Sequence, residues 1–202
     1  IHHAAPVLRE MAASHPLHIR GAQLRHSYTF GQGMKVAGIT SPKTLDVMHD
    51  THFHRVISSV TAQRDMAMEE FTTGNVFLLK NHKTTRFTVV PIVGIAWIFP
   101  DEFDGCDIRA VGREWTNGRG NRNSEWFPIA RHKAPNFKSV GNGKVLNKEY
   151  VVYHKKAVGF AGAPLGVPTS LGAALWSVAY SNYLADSASL THILKQIAWR
   201  IS

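Results

Sequence analysis

Cysteine is nearly absent from this 202-residue chain. Cys106 stands alone, which excludes an intramolecular disulfide framework and any zinc site built on cysteines. The chain is therefore compatible with a reducing compartment. Acidic residues are also scarce, 14 Asp and Glu against 23 Lys and Arg, so the formal charge is +9 before any of the twelve His protonate. That excess and a pI near 9.9 exclude an acidic solvating tail and make polyanions the default partners: nucleic acid, anionic lipid or an acidic protein surface. With 44% apolar and 18% charged residues the chain is not generically disordered. Its 22.4 kDa suits one domain, or one domain with an appendage, around a substantial core. No basic-then-apolar leader is visible, and the chain opens on Ile1. Both ends are expected to be cuts in a longer polypeptide.

Breakers partition the sequence. Residues 4–30 carry helical spacing (Val7, Leu8, Met11, Ala12, then Leu17, Ala22, Leu24, Tyr28) interrupted at Ser14-His15-Pro16 and ended by Gly31-Gln32-Gly33. Residues 34–39 read as a short strand. From 43 to 73 there is no Pro or Gly, and Leu45, Met48, Phe53, Val56, Val60, Ala67 and Phe71 follow one face of one long or two shorter helices, with Gly74-Asn75 as the C-cap. The period then changes. Residues 76–79, 87–90, 92–99, 108–111, 126–129 and 150–153 are β-branched and aromatic runs bounded by turn residues. A polar Gly/Asn loop covers 117–124, and Asn142-Gly143 is a hairpin-turn signal.

Residues 157–185 contain no charge, which raises a transmembrane question. Pro164, Pro168, four Gly and Asn182 argue instead for a buried loop followed by a helix. The Gly/Pro connector 161–168 leads to Thr169-Ser170 as N-cap candidates and then to an unbroken helical run of about thirty residues, roughly 45 Å at ~1.5 Å per residue. A helix that long suggests a partner helix or subunit.

Catalytic signals are weak. His49, His52 and His54 with Asp50 form a His-rich hexapeptide, but no second ligand cluster follows, so a solvated helix face is favoured over a metal site. Gly31-Gln32-Gly33 and Gly141-Asn142-Gly143-Lys144 lack the dinucleotide and phosphate-loop spacings and read as turns. Cys106 sits in an acidic turn with Asp101, Glu102, Asp104 and Asp107, which disfavours a reactive thiolate. The positive charge concentrates in residues 113–156, where ten Lys and Arg face three Glu, a net of +7, with Trp115, Trp126, Phe127, Phe137, Tyr150 and Tyr153 interleaved. Such mixing suits a nucleic-acid backbone with stacked bases, and equally a hairpin with inward aromatics and solvated cations. Its candidate surface cations are Arg113, Arg119, Arg122, Arg131, Lys133, Lys138 and Lys144.

Taken in order, the segments resemble the portal (head-to-tail connector) proteins of tailed double-stranded DNA bacteriophages. The likeness rests on Phe30-Gly31-Gln32-Gly33, on Phe71-Thr72-Thr73-Gly74-Asn75-Val76-Phe77-Leu78, and on Val89-Val90-Pro91-Ile92-Val93-Gly94-Ile95 followed by an acidic turn. It continues through Val151-Val152-Tyr153-His154-Lys155-Lys156, the connector 162–168 and the helix from Leu171, and so spans residues 16–201.

The resemblance implies an α+β ring subunit: an N-terminal helical part of a wing (1–75), an antiparallel β-rich wing unit (76–158), and a connector with the start of a stem helix (159–202). The family's remaining stem, clip and crown fall outside the matched region. It also implies a virion protein at the capsid portal vertex, in the host cytoplasm during assembly, with no enzymatic activity, cofactor, metal or membrane. Its partners would be copies of itself in a ring of about twelve, a terminase motor, capsid protein, neck and adaptor proteins, and genomic double-stranded DNA in transit. Lys195 and Arg200, on the last helix, are the candidates to face the DNA channel or a neighbouring subunit. The competing expectation is a basic nucleic-acid-binding or processing protein that uses residues 113–156.

Overall fold

In a computed structural model of the chain, the residues described are 3–30, 38, 40–101, 104–130 and 146–201. Helix α1 (Ala4–Ser14) buries Ala5, Leu8 and Ala12 along one face. His15 is extended (φ −91°, ψ 123°), as the ring of the following Pro16 requires, and Pro16 opens α2 (Pro16–Phe30). The predicted 34–39 strand, the Gly31-Gln32-Gly33 turn and the Asn142-Gly143 turn fall on positions outside the described residues, Gly38 alone excepted.

The 43–73 stretch departs from the expected one or two helices. It contains α3 (Pro42–His49), a single turn α4 (Thr51–Phe53), a π-helical turn (His54–Ser58) and α5 (Val60–Thr73). Asp50 and Ser59 make the breaks. Each is extended, and each side chain accepts a backbone N–H three residues on, from Phe53 (3.0 Å) and Ala62 (3.2 Å). Short polar side chains that satisfy a new helix start can divide a run that lacks Pro and Gly. Gly74 then ends α5 in the left-handed region (φ 73°), as predicted.

Among the described residues six strands follow: β1 (Asn75–Asn81), β2 (Phe87–Val90), β3 (Ile95–Pro100), β4 (Ile108–Thr116), β5 (Arg122–Pro128) and β6 (Tyr150–Lys156). They form two three-stranded antiparallel sheets, β2-β1-β6 and β3-β4-β5. An isolated bridge pairs Trp126 of β5 with Leu146, and another pairs Ile129, just past β5, with Val152 of β6, where the two sheets meet. The six apolar runs thus mark six strands, with two corrections. A 3₁₀ turn (Ile92–Gly94) precedes β3 inside the predicted 92–99 run, and β5 begins at Arg122, inside the predicted 117–124 loop. The core lies between the sheets, where Phe77, Leu79, Val90, Ile92, Ile95, Ile108, Val111, Phe127, Ile129 and Val152 are buried together with Ala5.

Two adjacent glutamates of α5 tie the helices to this core. Glu69 pairs with Arg9 of α1 and accepts the Ile92 N–H (3.0 Å); Glu70 pairs with Arg25 of α2 (3.0 Å) and Lys155 of β6 (3.1 Å). The connector then returns along the αL turn at Gly74, with Ala157 N–H donating to Gly74 O (2.8 Å) and Ser170 N–H to Phe71 O (3.1 Å). From there α6 (Leu171–Ile201) runs 31 residues to the end of the described chain.

Candidate functional site: the base and shaft of α6

Helix α6 divides into a docked base and a bare shaft. At the base, Ser170 and Ser177 are fully buried, while His15 Nε2 meets Ser181 Oγ at 3.0 Å and its ring meets Tyr180 edge-on. Arg25 Nη1 donates to Thr169 Oγ1 (3.3 Å) from the same side. The docking face is therefore made of serines and alanines. Leu171 and Val178, apolar residues of the same helix, are exposed instead. Ser170 directly precedes the helix, as the N-cap reading expects, but its hydroxyl is buried without a partner.

Beyond the base, the described positions from 182 to 199 are exposed except Ser187, which is half-buried. Trp176, Tyr183, Leu190 and Ile197 are 75%, 65%, 59% and 49% exposed and recur every seventh residue. Tyr180, Ser187 and Leu194 fall between them at the complementary spacing, so these positions line one strip with a/d spacing, while Val178, Leu184, Ile193 and Trp199 are exposed elsewhere around the helix. Sequence periodicity marks α6 as one long helical run. It does not reveal which face the rest of the chain leaves open.

The predicted cations scatter. Arg113 lies on the same face of β4 as Trp115, over whose ring its guanidinium sits (5.9 Å), whereas Arg122 shares the opposite face with Glu114 and pairs with it at 3.7 Å. Arg119 is exposed at the hairpin tip, in a turn closed by Asn117 Oδ1, which accepts the N–H groups of Arg119 (3.0 Å) and Asn121 (2.9 Å). These three do not form one patch. Arg131, Lys133, Lys138 and Lys144 lie outside the described residues. On α6, Lys195 is exposed beside His192, Gln196 and Trp199, and Arg200 follows in the last turn.

The histidine hexapeptide disperses as well. His52 Nε2 lies 2.8 Å from Phe87 O, and His54 Nδ1 lies 3.0 Å from Ser58 Oγ. Among the described residues no group of His, Cys, Asp and Glu is placed to hold a metal ion, and no helix is long and apolar enough to cross a membrane. Cys106 is half-buried, with the Gly162 N–H directed at its sulfur (2.9 Å).

Sequence reasoning treated Ser14-His15-Pro16 only as a breaker and did not single out His18. The signal available was two histidines one helical turn apart, beside a proline that fixes where α2 begins. Compared with known proteins, the chain matches no family model and no curated protein.

Proposed function

We propose that this chain is a structural subunit of a phage portal-type ring, acting by geometry at the capsid vertex through which DNA enters and leaves. The observation that carries this reading is the bare seam of α6. A single chain exposing Trp176, Tyr183, Leu190, Leu194 and Ile197 along one helix leaves a large apolar surface in water, and a seven-residue repeat is the spacing that another helix fills. Copies of α6 side by side, with their bases held on the wing-like body, would cover it. Closure of such head-to-tail contacts gives a ring.

In this reading the subunit catalyses no reaction and needs no cofactor. A terminase motor, capsid protein and neck proteins dock on the assembled ring. The shaft carries few charges, Asp186, Lys195 and Arg200 besides His192, which suits a conduit because each tight phosphate contact would hold back a moving polymer. The alternative of a basic nucleic-acid-binding hairpin draws less support, since Arg113 and Arg122 occupy opposite faces of the β4–β5 ribbon.

Particle mass and negative-stain class averages test the proposal. A closed ring of about twelve copies is the expected result; a stable monomer of the full-length protein overturns it.

A further inference from the structure

The base of α6 rests on a histidine that no other group neutralises. His18 is 0% exposed, and the one polar group at its ring nitrogens, the Ala173 backbone of α6, falls short of a well-formed hydrogen bond. Its ring is held edge-on between His15 (5.9 Å) and Phe71 of α5 (6.2 Å), and the backbone of Ala173 in α6 faces it. One turn beyond Ala173 on the same helix, Ser177 is also fully buried with an unpaired hydroxyl. His15, the other half of the pair, reaches across to Ser181. Unpartnered buried polar groups of this kind are rare, and here they gather at the one place where a long projecting helix meets the body.

We propose that His18, packed edge-on against His15, is a proton-operated latch: its neutral imidazole holds the base of α6 against α2 and α5, and its protonation releases it. Among the described residues the charged form has no counter-ion waiting. From the α1–α2 junction the facing titratable group is His15, which offers no negative charge. Along α2, Arg25 and His26 lie two turns on, and Arg25 is engaged by Glu70 and Thr169. From α5, Glu70 next to Phe71 is committed to Arg25 and Lys155, and Glu69 to Arg9. From α6 there is no Asp, Glu, Lys or Arg between Leu171 and Ala185. An imidazolium at position 18 must therefore either stay buried without an ion-pair partner or reach water by displacing α6.

Burial holds His18 below its ordinary pKa, and His15 acts in the same direction while the Ala173 backbone opposes it. The docked state thus binds fewer protons than the released state between that depressed value and about 6.5. Docking is fully favoured above about pH 6.5 and weakens as the pH falls through that window. The latch is independent of what covers the outer seam of α6, because its groups all face the body.

Hydrogen–deuterium exchange of the full chain at pH 7.5 and 5.0, corrected for intrinsic rates, tests it. The expected result is a severalfold loss of protection at pH 5.0 confined to residues 171–181, with β1 and β4 still protected, and loss of that pH dependence in His18→Phe. Should His18→Phe not fold, the same protein followed by histidine ring NMR must show a His18 titration that coincides with exposure of 171–181. Equal protection at both pH values, loss of β1 and β4 together with α6, or unchanged pH dependence in a folded His18→Phe overturns the proposal.

Discussion

Asn75 and Gly166 are joined through both ends of one side-chain amide: the Gly166 N–H donates to Asn75 Oδ1 (2.8 Å), and Asn75 Nδ2 donates to Gly166 O (3.1 Å). Asn75 is fully buried, its Nδ2 also donates to Thr73 O (2.8 Å), and its Oδ1 lies 3.1 Å from His154 Nε2. One side chain thus fixes the end of α5, the start of β1 and the connector that launches α6. Asn75→Ala strands several buried polar groups at once, so it is expected to destabilise by about 3 kcal/mol, at ~1–3 kcal/mol for each orphaned group. Urea denaturation measures this. A loss within experimental error of zero would show that the connector is not clamped there.

The same clamp leaves no room for a methyl group. A Cβ on Gly166 would lie 2.2 Å from Gly74 O and 2.8 Å from Ala157 N, and Gly74 combines φ 73° with a Cβ position 2.5 Å from the Val167 backbone. Gly166→Ala and Gly74→Ala are each expected to cost more than about 3 kcal/mol, because backbone rather than a flexible side chain must yield. Gly118→Ala, in the β4–β5 turn, meets nothing within 4 Å and is expected to be near neutral in the same urea denaturation.

These positions mark where sequence reasoning reaches and where it stops. The αL stop at Gly74, the break before Pro16 and the six strand runs are local signals, written in residues that dictate their own backbone. The division of 43–73 rests on Asp50 and Ser59, two ordinary polar residues whose capping role becomes visible only once their extended backbone is seen. The docking face of α6 is hidden for another reason. It is built from Ser170, Ala173, Ser177 and Ser181, small and polar residues that hydrophobic periodicity does not register. Nor does sequence spacing disclose that Arg113 and Arg122 part company, because that depends on the register of Arg122 opposite Thr116.

Ser59 offers a direct check on the capping argument. Its hydroxyl accepts the Ala62 N–H at the first turn of α5, and Ser59→Ala is expected to cost about 1 kcal/mol, a typical loss for an N-cap. Ser59→Asp should restore most of that stability in the same urea titration, since a carboxylate can cap the turn equally well. Failure of the aspartate to recover more than the alanine would remove the cap as the reason α5 begins where it does.

Glu69 separates charge from hydrogen bonding. Its carboxylate pairs with Arg9 and accepts the Ile92 N–H, joining α1 and α5 to the turn before β3. Glu69→Gln keeps an acceptor for Ile92 and gives up the ion pair, whose Arg9 side is 31% exposed and partly screened, so a loss of about 1 kcal/mol is expected. Glu69→Ala also leaves the Ile92 amide without its acceptor and is expected to lose about 2–3 kcal/mol. Equal losses for the two variants in urea denaturation would assign the whole effect to charge.

The seam of α6 supplies the test in which fold and assembly part. Leu190 and Leu194 are 59% and 56% exposed, touch no buried core and lie well beyond the docked base. Replacing both with Glu therefore removes little intramolecular apolar contact, and helix propensity changes by only a few tenths of a kcal/mol. The body should melt as the unaltered chain does. Between copies the effect is opposite, because carboxylates along an a/d seam face one another and must be desolvated. Mass photometry of Leu190→Glu/Leu194→Glu is expected to read monomer where the unaltered protein forms a particle. Lys195→Gln, on a neighbouring strip of the same helix, should leave the particle intact. A particle that survives the double variant places the subunit contact elsewhere and removes the seam as the ground for a ring; an unaltered protein that is itself monomeric removes the ring.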